Sequence, residues 1–150
     1  MPTPHIGGCQ CGRIRYTIGE KPLTLYVCHC TECQKQSSSA FGMSMTVARA
    51  TLHVTQGTPK AFSRSAASGH DVVCSYCGDC GTRLFHETSR RPQHTNVKPG
   101  TLDDTQWLRP VAHVWTASAQ PWVRIPTDVL SYVEQPPDLE PLIAAYARGA

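Results

Sequence analysis

The sequence predicts a mainly β protein in a single domain, pinned by metal-binding cysteines, and three observations carry that expectation. Between residues 13 and 125, short runs that alternate apolar with polar or charged side chains are split by Gly and Pro, the pattern of half-buried strands. Helical periodicity is nearly absent before residue 135, which favours an antiparallel β fold over a mixed one. Eight cysteines occur in 150 residues, several of them two or three positions apart.

In chain order, Gly7-Gly8-Cys9-Gln10-Cys11-Gly12 is a Cys-x-Cys pair bracketed by glycines, which let backbone approach a metal. Arg13 to Ile18 alternates and reads as a strand; Gly19 to Pro22 is a turn. Leu23 to Cys28 follows as a strand, with Leu23, Leu25 and Val27 on one face and Tyr26 and Cys28 on the other. The polar run Gln34 to Ser39 fits a short helical turn or a loop, and Phe41 to Val47 resumes alternation. Further strands are expected at 52–55, 60–64, 71–76, 83–87, 113–117 and 122–125. One helix signal stands out: Asp138 can cap a segment whose Leu139, Leu142, Ile143 and Tyr146 share a face, with Gly149 just after it. That face either closes the core of its own chain, the favoured reading, or meets a second copy in a homodimer.

The length suits one domain, 1–150, with a core of its own and none to spare. The start Met1-Pro2-Thr3-Pro4-His5 has no basic segment and no apolar run, so no signal peptide is read, no run is long enough to span a membrane, and a cytoplasmic location is expected. Closely spaced cysteines there favour metal over disulfides. The formal charge is +3 with neutral thiols. A four-thiolate zinc contributes about −2 and a three-thiolate zinc about −1, which cancels it. With no dense Lys/Arg run, a nucleic-acid partner is not expected.

Cys28-His29-Cys30-Thr31-Glu32-Cys33 is the working centre. On an extended backbone Cys28 and Cys30 point one way and His29 the other, and a turn over Thr31-Glu32 brings Cys33 round. Three protein ligands with a free fourth position suit a reactive zinc, whereas four make a closed structural one. Cys77-Gly78-Asp79-Cys80-Gly81 has the shape of a zinc knuckle, and Cys9 and Cys11 can complete its tetrahedron. Cys74 has three readings of nearly equal weight: fourth ligand to Cys28, Cys30 and Cys33, alternative knuckle ligand, or bystander.

Gly8-Cys9-Gln10-Cys11-Gly12, Cys28-His29-Cys30-Thr31-Glu32-Cys33 with Ser39-Ala40-Phe41, Cys77 to Phe85, Gly100 to Asp104 and Pro121-Trp122 together resemble the glutathione-dependent formaldehyde-activating enzyme and centromere protein V family. The match runs from about Gly7 to Val133. It implies a β-tent of small antiparallel sheets around zinc, a structural zinc on Cys9, Cys11, Cys77 and Cys80, and a second, reactive zinc on Cys28, Cys30 and Cys33. Cys74 falls outside the family pattern, Ser38 stands where many members have glycine, and the final helix lies beyond the match.

The function the resemblance implies is a zinc-dependent carbon–sulfur lyase of the S-(hydroxymethyl)glutathione synthase type, with glutathione or a related thiol adduct as substrate. Three thiolates leave zinc receptive to a soft ligand, and a coordinated thiol ionises. Lys35 is the first candidate for the anionic substrate, with Arg13, Arg15 and Arg83 behind it, and Ser37, Ser38 and Ser39 offer hydroxyls. His29 is expected to face solvent or to steady a ligand, and Trp107, Trp115 and Trp122 to pack in the core. The alternatives are a non-catalytic zinc module for a protein or nucleic-acid partner, and a scaffold with two closed zinc sites.

Overall fold

The computed structural model describes residues 3–66 and 68–149. Its strands are β1 (His5–Gly8), β2 (Arg15–Ile18), β3 (Thr24–Cys28), β4 (Gly42–Ala48), β5 (Leu52–Gln56), β6 (Lys60–Ser65), β7 (Asp71–Tyr76), β8 (Arg83–Thr88), β9 (His94–Val97), β10 (Ala112–Val114) and β11 (Leu130–Ser131). Two α-helices, α1 (Thr31–Ser37) and α2 (Glu140–Gly149), complete the regular structure, apart from short 3-10 turns. The chain forms two compact units. One takes the chain up to Pro22 together with Thr46–Trp107, the other Leu23–Met45 and the chain from Leu108.

In the first unit β1, β2 and β5 make a three-stranded antiparallel sheet, and β9-β8-β7-β6 lie side by side, antiparallel in the register 74↔86 and 62↔74. Alternation in Arg15-Tyr16-Thr17-Ile18 buries Tyr16 and Ile18 completely. The Tyr16 ring meets Phe85 edge to face at 5.0 Å, and its hydroxyl shares a 2.8 Å hydrogen bond with Thr101. A side chain at Gly7 would strike the Tyr16 hydroxyl and the Thr101 carbonyl, which fixes glycine there. Arg15 reaches Asp103 with both terminal guanidinium nitrogens.

In the second unit β10 lies between β3 and β11 and runs parallel to both. This departs from the expected antiparallel arrangement. Parallel neighbours need long connections, and the stretch from Cys28 to Ala112 and the loop before Leu130 supply them. Helix α2 is capped as the sequence foretold, with the Glu140 amide donating to Asp138 Oδ1 at 2.9 Å. Its Leu142 packs with Ala112 and Leu139, flanked by Tyr26, Leu130, Tyr132 and Ile143, so the apolar face is used within its own unit. Gly149 ends the helix from inside it.

Most expected strands are present within two residues, but 122–125 is not one: Trp122 sits in a turn with 68% of its surface exposed, so it is not core. The run expected at 113–117 stops as a strand at Val114, because Trp115 takes a left-handed backbone, φ 58°, that bulky residues rarely adopt. Strands β1, β9 and β11 have too little alternation to be read from four, four and two residues.

Candidate metal centres

In the first unit two turns face each other. After Cys9, the Gly12 amide donates to the Cys9 carbonyl at 3.0 Å; after Cys77, the Gly81 amide donates to the Cys77 carbonyl at 2.9 Å. Both glycines have positive φ, 77° and 78°. These turns gather the sulfurs of Cys9, Cys11, Cys77 and Cys80 within 4.8 Å of one another. The Cys9 to Cys11 separation is 3.5 Å and Cys11 to Cys77 is 3.8 Å. Four sulfurs about 2.3 Å from one zinc sit about 3.8 Å apart, so the set fits a tetrahedral ion.

Surrounding donors face the sulfurs. The Ile14 amide donates to Cys9 Sγ at 3.3 Å. The Thr82 hydroxyl accepts the Gln10 amide at 3.1 Å, which leaves its proton for Cys80 Sγ, 3.2 Å away. That hydroxyl, with the Thr82 and Cys11 amides, draws the Cys80 thiol down to about 5, towards the thiolate a metal needs.

In the second unit β3 ends on Cys28 and α1 starts immediately after Cys30. Cys28, Cys30 and Cys33 bring their sulfurs within 4.8 Å of one another. Cys30 is the N-cap of α1, its sulfur accepting the Cys33 amide at 3.2 Å, so the turn over Thr31-Glu32 is the helix's first turn. Hydrogen bonds from the Cys28 and Cys33 thiols hold Cys30 down to about 2. The matching bonds from Cys30 and Cys33, followed by burial, push Cys28 up. A soft cation binding here would displace the remaining thiol protons and meet all three sulfurs as thiolates. Cys28 is buried, while Cys30 and Cys33 are partly exposed.

Gln34 and His113 were not singled out as site residues by sequence reasoning. The Gln34 amide nitrogen donates to the His29 carbonyl, between two of the cysteines, at 2.8 Å and to the Ser118 carbonyl at 2.9 Å, and its oxygen accepts from Gln120 at 3.3 Å. Gln120 in turn accepts the Trp122 indole N–H at 2.7 Å. A glutamine in a polar run carries no pattern of its own, so only geometry exposes this clamp. His29 is completely buried rather than solvent-facing; its Nε2 shares a 2.8 Å hydrogen bond with His113 Nδ1, and its ring packs edge-on to Phe41.

Of the expected substrate contacts, Lys35 is exposed in the last turn of α1, and Ser38 and Ser39 are exposed just after it. Lys35 lies two positions from Cys33 on a helix, so the two side chains leave it in divergent directions. Ser37 is committed locally, its hydroxyl 2.8 Å from the Cys33 carbonyl and 2.9 Å from that of Phe41. Arg13 pairs with Asp79 and Arg15 with Asp103, while Arg83 lies over the Phe62 ring; all three belong to the first unit. Trp107 stacks on His5 at 4.9 Å. Cys74 is completely buried in β7 and joins neither group of sulfurs.

The fold and these groups define a mainly β protein with two cysteine clusters suited to metal. Residues 4–118 match the model of the glutathione-dependent formaldehyde-activating enzyme family, and the chain belongs to that family. The chain is also similar to the crystal structure of a Rhodobacter sphaeroides protein, with a TM-score of 0.55 and 18% identity over 68% of this chain and 91% of that one. At that identity the likeness concerns the fold. No helix among the described residues is long and apolar enough to cross a membrane.

Proposed function

We propose that the protein is a zinc-dependent carbon–sulfur lyase-type enzyme acting on glutathione or a related thiol adduct, with chemistry of the S-(hydroxymethyl)glutathione kind. Family membership supports the thiol. The observation that carries the reading is the gathering of Cys28, Cys30 and Cys33 as a set of three, with no fourth Cys, His, Asp or Glu donor joining them among the described residues. A zinc held by these three sulfurs would supply a position at which an incoming thiol sits as its thiolate.

The bond made is between the thiol sulfur and the carbon of a small carbonyl electrophile. The carbonyl oxygen takes the π pair and a proton, the thiol having given one up, and the lyase direction reverses each transfer. The residues of this chain bind and orient. Gln34 holds the Cys28–Cys33 backbone, Lys35, which leaves the helix away from Cys33, offers a cation to a carboxylate of the substrate remote from its sulfur, and Ser38 and Ser39 offer hydroxyls to its peptide-like part.

The test replaces zinc with cobalt and titrates glutathione. A saturable rise in thiolate-to-cobalt absorption, lost in Cys33→Ser but kept in Cys74→Ser, is the expected result. Absorption that glutathione leaves unchanged overturns the reading.

A further inference from the structure

The Pro121-Trp122 motif supplies no metal ligand, and core packing does not explain it, since Trp122 is 68% exposed. An indole left in water forgoes the burial that ordinarily makes tryptophan stabilising. What the structure uses is its one polar atom. The Val123 amide donates to the Gln120 carbonyl at 3.0 Å, closing a turn over Pro121 and Trp122. Proline presets φ at the second position of such a turn, so the turn is stiff. It brings the Trp122 indole N–H back onto the Gln120 side chain, where it donates to Oε1 at 2.7 Å.

From Gln120 a chain of hydrogen bonds runs inward, and only one polarity satisfies it. Gln34 Nε2 donates to the His29 and Ser118 carbonyls, at 2.8 and 2.9 Å. Carbonyls only accept, so Gln34 Oε1 is the atom turned to Gln120. Gln120 must then donate through Nε2, at 3.3 Å, which leaves its Oε1 for a donor. An indole N–H donates and cannot accept, so Trp122 fits that end and holds the Gln120 amide against a flip. At the inner end, His29 stands between Cys28 and Cys30, and its own amide donates to the Val114 carbonyl at 3.0 Å. Both polar backbone atoms of His29 are therefore tied, the amide to β10 and the carbonyl to the chain that ends on Trp122. Every member of this chain belongs to the second unit.

We propose that Trp122 is a positioning residue for the three-thiol group: its indole N–H, acting through Gln120 and Gln34, holds the backbone between Cys28 and Cys30 in the arrangement that grips a metal. The role rests on the metal reading of Cys28, Cys30 and Cys33 and is independent of which thiol or carbonyl compound the protein acts on.

The experiment competes the full zinc-loaded chain against a graded series of chelators, with the three-thiol group identified as the one lost in Cys33→Ser. Trp122→Phe keeps a ring and removes the N–H, and its three-thiol group is expected to bind zinc at least about threefold more weakly, the scale of one net hydrogen bond. Gln120→Leu should do the same, and the four-thiol group should be unchanged in both. In the double variant Trp122→Phe/Gln34→Ala the loss should be no greater than in Gln34→Ala alone, because the indole acts only through Gln34, whereas a local packing role for the ring would add to it. If Trp122→Phe does not melt cooperatively, Gln120→Leu and its double variant with Gln34→Ala decide. A smaller loss in the folded variants, an equal loss at both groups, or an additive loss in the double variant overturns the proposal. Wild-type protein that holds only one zinc per chain overturns the metal reading of Cys28, Cys30 and Cys33 and this role with it, an outcome distinct from the other three.

Discussion

The two cysteine groups solve the same problem by opposite means. Cys11 and Cys77 are 66 positions apart, and their sulfurs come to 3.8 Å only after two distant turns have been brought face to face. Cys28, Cys30 and Cys33 need a strand end and one helical turn. Raising the enclosed loop from about five residues to about sixty-six costs roughly 2 kcal/mol more in closure entropy, at about 0.6 kcal/mol per doubling. A metal on the first group therefore acts on the whole unit, because it holds in place contacts the unfolded chain seldom makes. A metal on the second acts on a turn that local backbone already favours, so little of its binding energy goes into closing the chain.

The sharpest way to break this comparison is to remove one sulfur from each group. Cys77→Ser should cost about 5 kcal/mol or more, a large part of the roughly 10–16 kcal/mol that structural zinc supplies in small domains, and should abolish the cooperative melt. Cys33→Ser should lower zinc content by one per chain and shift stability by no more than about 1 kcal/mol, since its group closes no long loop. Thermal melts with zinc analysis on the same samples check both. Similar melting temperatures for the two variants would mean that both groups hold the fold equally.

A smaller effect tests what steadies the local group. Gln34 ties the backbone between Cys28 and Cys30 to the Ser118 carbonyl, so Gln34→Ala should weaken metal binding at Cys28, Cys30 and Cys33 by about 10–100-fold, the usual effect of removing a group that orients a ligand. The four-thiol group should keep its affinity. Competition with a graded chelator resolves the two sites, and an unchanged affinity at the three-thiol group would leave Gln34 without a part in holding the metal. Because the readout is affinity, it does not depend on knowing the substrate.

Legibility in the sequence followed how local each cause is. Cys28, Cys30 and Cys33 are grouped by spacing alone, and the Cys77 to Gly81 knuckle by its glycines, so both sets of sulfurs were readable. Helix α2 was readable because its four apolar positions and the Asp138 cap lie within nine residues. The parallel pairing of β10 with β3 and β11 was not, since Ala112-His113-Val114 carries no sign of its neighbours. The burial of His29 was equally hidden: its partner His113 is 84 positions away, and a histidine looks alike in sequence whether wet or paired. Trp122 misled because large aromatics are ordinarily buried, and here the indole N–H is satisfied by Gln120 at the surface.

The smallest effect compares the two turns through one backbone conformation that both use. Gly12, beside the four-thiol group, and Ser38, which ends the helix of the three-thiol group, lie in the left-handed region at φ 77° and φ 52°. Around Gly12 an added Cβ would meet nothing within 4 Å, so a substitution there is penalised by φ alone. A left-handed residue other than glycine costs about 1–2 kcal/mol, and entropy gained by the unfolded chain offsets part of a change to glycine. Gly12→Ala should therefore lose about 1 kcal/mol, and Ser38→Gly should gain up to about 1 kcal/mol. Ser38 caps α1 with its backbone amide, donated to the Gln34 and Lys35 carbonyls, and glycine keeps that donor. Denaturant midpoints of the two variants measure both changes. A Ser38→Gly protein that is less stable would show that the hydroxyl contributes more than the strain removed.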